Sequence, residues 1–268
     1  MPADRADPVP TWPQRWHRLL AELRQVPDAP ARERLLDALV HPVGPRVLAF
    51  ANAHALNLAA RDVAFFEDLA AADCLLRDGQ GMAWLLRLLR QRPGLNLNGT
   101  DLIPVLVARF AQVQPGVRMA LLGTRAPWLS RAGTRLQALA GGAHCLVADG
   151  FMPDDEYLRL AARESPHLVV LAMGMPRQER LARALRAAAQ GPCLIICGGA
   201  IADFLGGRYA RAPRWLQRLG LEWCWRLARE PRRLFGRYVL GNPLFLARAL
   251  WLALSRRQPA AASPSARS

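Results

Sequence analysis

Thirteen arginines and only two acids, Glu222 and Glu230, lie between Arg208 and the C-terminus, so this quarter carries +11 of a total formal charge of +15. Trp215, Trp223, Trp225, Phe235 and Tyr238 are interleaved with them. Arginine's planar fork pairs with phosphate oxygens through parallel hydrogen bonds and stays charged. Large aromatic residues suit a boundary that is apolar on one side and wet on the other. The combination predicts a polyanionic partner: a diphosphate, an anionic lipid or a nucleic acid. The chain has no lysine at all, and a codon bias toward arginine would give that usage without any ligand.

Two carboxylates stand where acid–base chemistry could be done. Asp78 follows the apolar run CLLR and precedes Gly79, while Asp101 lies in NLNGTDLIP with Asn98 and Thr100. A carboxylate within hydrogen-bond reach of a hydroxyl can take its proton during attack. By residue type alone, either reads equally as a helix cap. No Asp-x-Asp occurs, and the five histidines show no ligand pairing. Asp154, Asp155 and Glu156, after Pro153, read as acids at a helix N-terminus rather than a metal site. No metal and no cofactor are therefore expected, and arginine would be the cation at a diphosphate. No Walker loop is present, and no Gly-x-Gly-x-x-Gly follows the first strand. Gly198 and Gly199 would let backbone amides approach a ligand, although such pairs also serve tight turns.

These residues need elements to hold them. RWHRLLAELRQV and ARERLLDALV read as amphipathic helices. Short apolar runs then alternate with helical ones: strands at 46–50, 74–79 (strand then turn), 117–123, 144–150, 167–174 and, last, 193–199, with helical stretches between them. Strands apolar on both faces, separated by helices, predict an α/β fold: a Rossmann-like parallel sheet with helices on both faces. Ligands of such sheets sit at the carboxyl ends of the strands, which directs attention to Asn52, Asp78, Gly123, Gly150, Gly174 and Gly198. At 268 residues and 52% hydrophobic content, the chain can bury one large core. The expected organisation is a flexible stretch 1–13, an α/β core 14–205, a basic aromatic appendage 206–254 and a flexible tail 255–268. The core is expected to fold without the appendage. A helix from Pro243 to Leu254 would be about 18 Å long, too short to cross a ~30 Å hydrocarbon layer but able to lie on one. Five scattered cysteines suggest reduced, mostly buried thiols and a cytoplasmic setting. The acidic N-terminus has no apolar core of signal-peptide length, so no export signal is expected.

Taken together, NGTDL (98–102), the Asp78–Gly79 pair, HLVVLAMGMPRQE (167–179) and CGGAIADFLGGRYARAPRWLQRLGLEWCWRLAREPRRLFGRYVLGNP (197–243) resemble the bacterial WecG/TagA/CpsF-type glycosyltransferases. The likeness covers roughly residues 30–245. It implies an inverting, metal-independent transferase with a Rossmann-like fold. The implied reaction moves a sugar from a UDP-sugar donor to a polyprenyl-diphosphate-linked sugar acceptor, at an anionic membrane surface on the cytoplasmic face, in cell-surface or exopolysaccharide synthesis. It further implies a C-terminal appendage that touches the membrane and helps close the site, with Phe235, Tyr238, Phe245 and Trp251 available to the lipid. Asp78 matches the proposed base. Asn52, Asn98, Thr100, Asp101, Gln178 and Asp203 match or adjoin substrate-contacting motifs, and Arg226, Arg229, Arg232, Arg233 and Arg237 fall among the functional C-terminal arginines. Two positions depart from the pattern: Phe50-Ala51-Asn52 replaces Thr-x-Asn, and Asn96 replaces an arginine. The donor sugar is thus left open among N-acetylmannosamine, its uronic acid and glucose, and a homo-oligomer is left open too.

Two other classes compete. A nucleic-acid-binding protein would use the basic arm, but the arm's large apolar residues favour lipid over a duplex. A nicotinamide-dependent oxidoreductase would use the sheet, but the glycine fingerprint is missing. No nucleic-acid partner is expected.

Overall fold

The computed structural model describes residues 9–255. Two helices open it, α1 (Trp12–Glu22) and α2 (Ala29–Val40). Gln14 accepts the Thr11 backbone N–H at 2.7 Å, and Asp28 accepts the Ala31 N–H at 2.8 Å, so each start is fixed by a side chain. The alternating part follows: β1 (Pro45–Ala51), α3 (Ala53–Arg61), α4 (Val63–Ala70), β2 (Cys74–Arg77), α5 (Gln80–Leu88), α6 (Gly99–Val113), β3 (Met119–Gly123) and α7 (Trp128–Leu139). It continues with β4 (Cys145–Ala148), α8 (Asp154–Glu164), β5 (Leu168–Ala172), α9 (Arg177–Ala188) and β6 (Cys193–Cys197). Beyond β6 come α10 (Ile201–Leu205), α11 (Arg214–Arg218), α12 (Glu222–Arg229) and α13 (Pro231–Phe235). A π turn, Gly236–Leu240, joins α13 to the last helix, α14 (Gly241–Ser255).

The six strands form one sheet in the order β2-β1-β6-β5-β3-β4, and every pairing is parallel. Alternate residues of each strand enter opposite cores. Ala49, Leu122, Val169 and Ile195 pack with α1, α3, α4, α5, α8 and α9 on one face. Leu48, Leu121, Val170 and Ile196 pack with α2, α6, α7 and α10 on the other. Both faces are covered, which is why the strands read as unbroken apolar runs. The fold is the expected Rossmann-like α/β sheet. Asp154, Asp155 and Glu156 lie in the first turn of α8, as their position after Pro153 suggested.

The C-terminal part departs from expectation in two ways. First, Pro231–Ser255 is one continuous helix of 25 residues, about 37 Å at ~1.5 Å per residue. It is the one helix among the described residues long and apolar enough to cross a membrane. Gly241, Asn242 and Pro243 do not break it: the helix widens into the π turn just ahead of the proline, with the Gly241 N–H bonding Gly236 O five residues back. Second, α14 belongs to the core. Phe245, Ala249 and Leu252 are at most 1% exposed and join the cluster around α1, α3 and α5. Phe245 stacks on Trp16 with 5.5 Å between ring centroids, so it is not available to lipid. The last helix is therefore packed into the α/β core rather than set apart from it. The stretches expected to be flexible, 1–13 and 255–268, lie mostly outside the described residues; within those, α1 already begins at Trp12 and α14 runs to Ser255.

Candidate active site

Asp78 leaves the sheet at the carboxyl end of β2. Its backbone N–H still bonds Ala51 O at 2.8 Å, extending the β1–β2 ladder by one residue. The next residue, Gly79, has φ +85°, a conformation that a side chain strains, and it starts α5. Beneath this turn, buried Arg77 donates to the carbonyls of Gly79, Pro93 and Gly94, each at 3.0 Å. Asn96 Oδ1 accepts the Gly79 N–H at 2.9 Å. The Asp78 turn and loop 93–96 are thus one fixed unit.

The Asp78 carboxyl itself is withdrawn from water, although the residue keeps some accessible surface. Burial raises its pKa; a hydrogen bond from Asn52 Nδ2 at 3.4 Å and the charges of Arg237, Arg226 and Arg77 offset part of that. Asn52 has a second task. Its Oδ1 accepts the Ala55 N–H at 3.0 Å, capping α3 at the end of β1. His54, two residues on, is held neutral: burial, then Arg237 and Arg61, lower its pKa to about 4.

The five candidate arginines separate into groups. Arg226 and Arg237 act on Asp78. Arg226 lies over the Phe204 ring at 5.5 Å, and the Arg237 Nε is buried without a hydrogen-bond partner. Arg233 bonds Glu230, which also accepts from Tyr209 Oη at 2.8 Å, and it feels the charge of Asp203. Arg229 and Arg232 face solvent; Arg229 stacks on Trp225 at 4.8 Å.

Asp203, in α10, accepts from Thr124 Oγ1 at 2.7 Å and pairs with Arg208 at 3.3 Å, bridging the ends of β3 and β6. Gln178 is 1% exposed. Its Oε1 accepts the N–H groups of Gly174 and Gly199 at 3.2 and 2.9 Å, tying the loops after β5 and β6, and its Nε2 donates to Glu179 at 2.8 Å. Its polar atoms are thus engaged by the protein itself. Glu179, equally buried, has its pKa pushed up to about 7 by burial. Asn98 caps α6 by accepting the Asp101 N–H at 3.0 Å, with Thr100 in the same first turn. Asp101 is ion-paired to Arg211, which also reaches Glu222 at 3.6 Å. This group tethers the arm; no bond among the described residues joins it to Asp78.

The structure therefore brings together Asn52, Asp78, Arg226 and Arg237, and gathers Asp203 with Arg233 nearby. His54 and Arg77 also belong at this site, and the motifs did not single them out. His54 had the signal of lying two residues past Asn52; Arg77 had only its place beside Asp78. Phe50, one of the two departures, is buried against Gly99 of α6 and offers the site no polar group. Among the described residues, no three His, Cys, Asp or Glu side chains gather as metal ligands would.

A desolvated carboxylate at a strand end, under the charge of arginines brought in by a C-terminal arm, is an arrangement on an α/β fold that can do acid–base chemistry. The chain belongs to the Glycosyl transferase WecG/TagA/CpsF family, whose model matches residues 19–259. It is a glycosyltransferase. It is 27% identical over 208 residues to the N-acetylglucosaminyldiphosphoundecaprenol N-acetyl-beta-D-mannosaminyltransferase of Bacillus subtilis (strain 168), a match spanning 75% of each chain.

Proposed function

We propose that this glycosyltransferase moves a sugar from a UDP-sugar to a polyprenyl-diphosphate-linked N-acetylglucosamine, with inversion, in cell-surface polysaccharide synthesis. The relative's name supports that acceptor and favours N-acetylmannosamine as the sugar transferred. The observation that carries the reading is Asp78, desolvated and facing Arg226 and Arg237.

Asp78 accepts the proton of the acceptor hydroxyl as its oxygen attacks the anomeric carbon from the face opposite UDP. The carbon–oxygen bond to UDP breaks, and its electron pair leaves on the diphosphate. A raised pKa makes the carboxylate a stronger base, closer to the working pH. Arg226 and Arg237 stabilise the negative charge growing on the diphosphate, in a site where water screens little. Arg237's unpartnered Nε is a donor held for that purpose. Asn52 orients the carboxylate.

The exposed face of the arm supports peripheral binding to the cytoplasmic membrane surface. Phe235, Leu240, Leu244, Leu250 and Leu254 are all between 47% and 63% exposed along one helix whose other side is in the core. Solvent-facing Arg229 and Arg232 suit anionic headgroups. The test is a panel of UDP-sugars with short-chain polyprenyl-diphosphate-N-acetylglucosamine, products read by mass. UDP-N-acetylmannosamine should give a single-sugar addition; no product with any UDP-sugar would overturn the donor class.

A further inference from the structure

Asn57 is one of very few buried polar side chains, 9% exposed on α3, and none of the chemistry above uses it. A buried amide calls for partners. Its Nδ2 donates to the backbone carbonyl of Gly241 at 2.7 Å, and its Oδ1 accepts from Arg248 Nη1 at 2.9 Å. Both partners lie more than 180 residues away in sequence, on the last helix. Gly241 is the residue at which the π turn closes: its N–H bonds Gly236 O, five residues back. A Cβ at Gly241 would lie in ordinary contact with the Asn57 amide nitrogen, at 3.7 Å, so the two elements pack closely there. Single π turns inside α-helices tend to fall at functional positions. This one contains Arg237, the arginine whose charge acts on both Asp78 and His54.

We propose that Asn57 is a positioning residue: it grips Gly241, pins the π turn against α3, and thereby fixes the stretch of backbone that carries Arg237 at the site of Asp78. The inference rests on the reading of Asp78 as base and of Arg237 as its facing cation. Three features support it independently of that reading. The grip is partly buried, on an amide 9% exposed, so water competes little for it. It is two-pronged, with Arg248 fixing the amide's orientation. It also acts four residues after Arg237, one helical turn away, where a shift of the helix would be transmitted directly. The charged and titratable groups around the pair are Arg77 and Arg226 toward Asp78, and Arg233, Tyr238, Arg226 and His54 toward Arg237.

The test uses the full chain. Asn57→Leu combined with Arg248→Met removes the grip and leaves no guanidinium buried without its acceptor, which protects folding. Amide exchange across 236–245 should accelerate at an unchanged global unfolding temperature. kcat should fall roughly tenfold, on the scale of one lost buried hydrogen bond. The acid limb of the kcat/KM profile should move to higher pH, because a displaced Arg237 no longer favours ionised Asp78. Adding Arg237→Ala to this variant should cost little more, since both changes remove one interaction. Unchanged exchange at 236–245 would overturn the grip. Losses that multiply, or an unmoved acid limb, would leave Asn57 as packing alone. Full turnover by Asp78→Asn would instead sink the base assignment while leaving the exchange result standing, so the two failures are distinguishable.

Discussion

Asp78 is where the chemistry is most exposed to refutation. Loss of a positioned base typically costs ~10²–10⁴-fold in rate, so Asp78→Asn should lose that much turnover yet still bind UDP, measured by calorimetry. Burial raises the pKa of Asp78, and arginines pull it partly back. The acid limb of kcat/KM should therefore lie above the usual carboxylate range and move higher still in Arg237→Ala, because removing a cation disfavours the ionised form. Glu179 gives a separate pH test, on stability. Its folded pKa is about 7 against an ordinary 4.5, so across that window the unfolded chain ionises first and stability falls as pH rises. Glu179→Gln should flatten that slope and leave the protein more stable at pH 8, as read by chemical unfolding at several pH values. Residue type placed Asp78 and Asn52 correctly on strand ends. It could not tell that Gln178 turns inward, because a glutamine reads the same whether its amide meets substrate or the backbone of Gly174 and Gly199.

At the scale of elements, the strands were legible because most are buried on both faces, with Val147 of the edge strand β4 the exposed exception, and six apolar runs became six parallel strands. The last helix was not. Gly241, Asn242 and Pro243 resemble a break when only local propensity is read, but the π turn just ahead of the proline carries the helix through. Its amphipathicity also misleads: apolar residues occur all round, since one side faces the core and the other is exposed. The two sides should separate experimentally. Phe245→Ala should cost ~3–5 kcal/mol of stability, as for a large aromatic removed from a packed core. Leu240→Ser, at a position 63% exposed, should leave unfolding nearly unchanged and weaken sedimentation with anionic vesicles. Equal effects on stability from both would contradict the division of the helix into a core side and an outer side.

Across the whole molecule, the arm that packs into the core is also the segment proposed to meet substrate and lipid. Truncation before Glu222 exposes Trp16 and the outer faces of α3 and α5, so the shortened chain should aggregate or melt at lower temperature rather than persist as a soluble core. The basic quarter was legible from composition alone; its tie to the sheet was not, because Asn57–Gly241 and Asp101–Arg211 are contacts between residues more than a hundred positions apart. What the arm adds is a coupling: the segment that offers Phe235 and Leu240 outward also carries Arg226 and Arg237 inward. Vesicle binding should weaken as salt rises, through screening of the arginines, while the apolar contribution persists. The central claim is inverting transfer with Asp78 as base. Its most direct test is to incubate full-length protein and Asp78→Asn with UDP-N-acetylmannosamine and a short-chain polyprenyl-diphosphate-N-acetylglucosamine, and to read product mass and anomeric configuration. The account predicts a disaccharide of inverted configuration from the wild type and almost none from the variant; a retained configuration, or equal product from both, would contradict it.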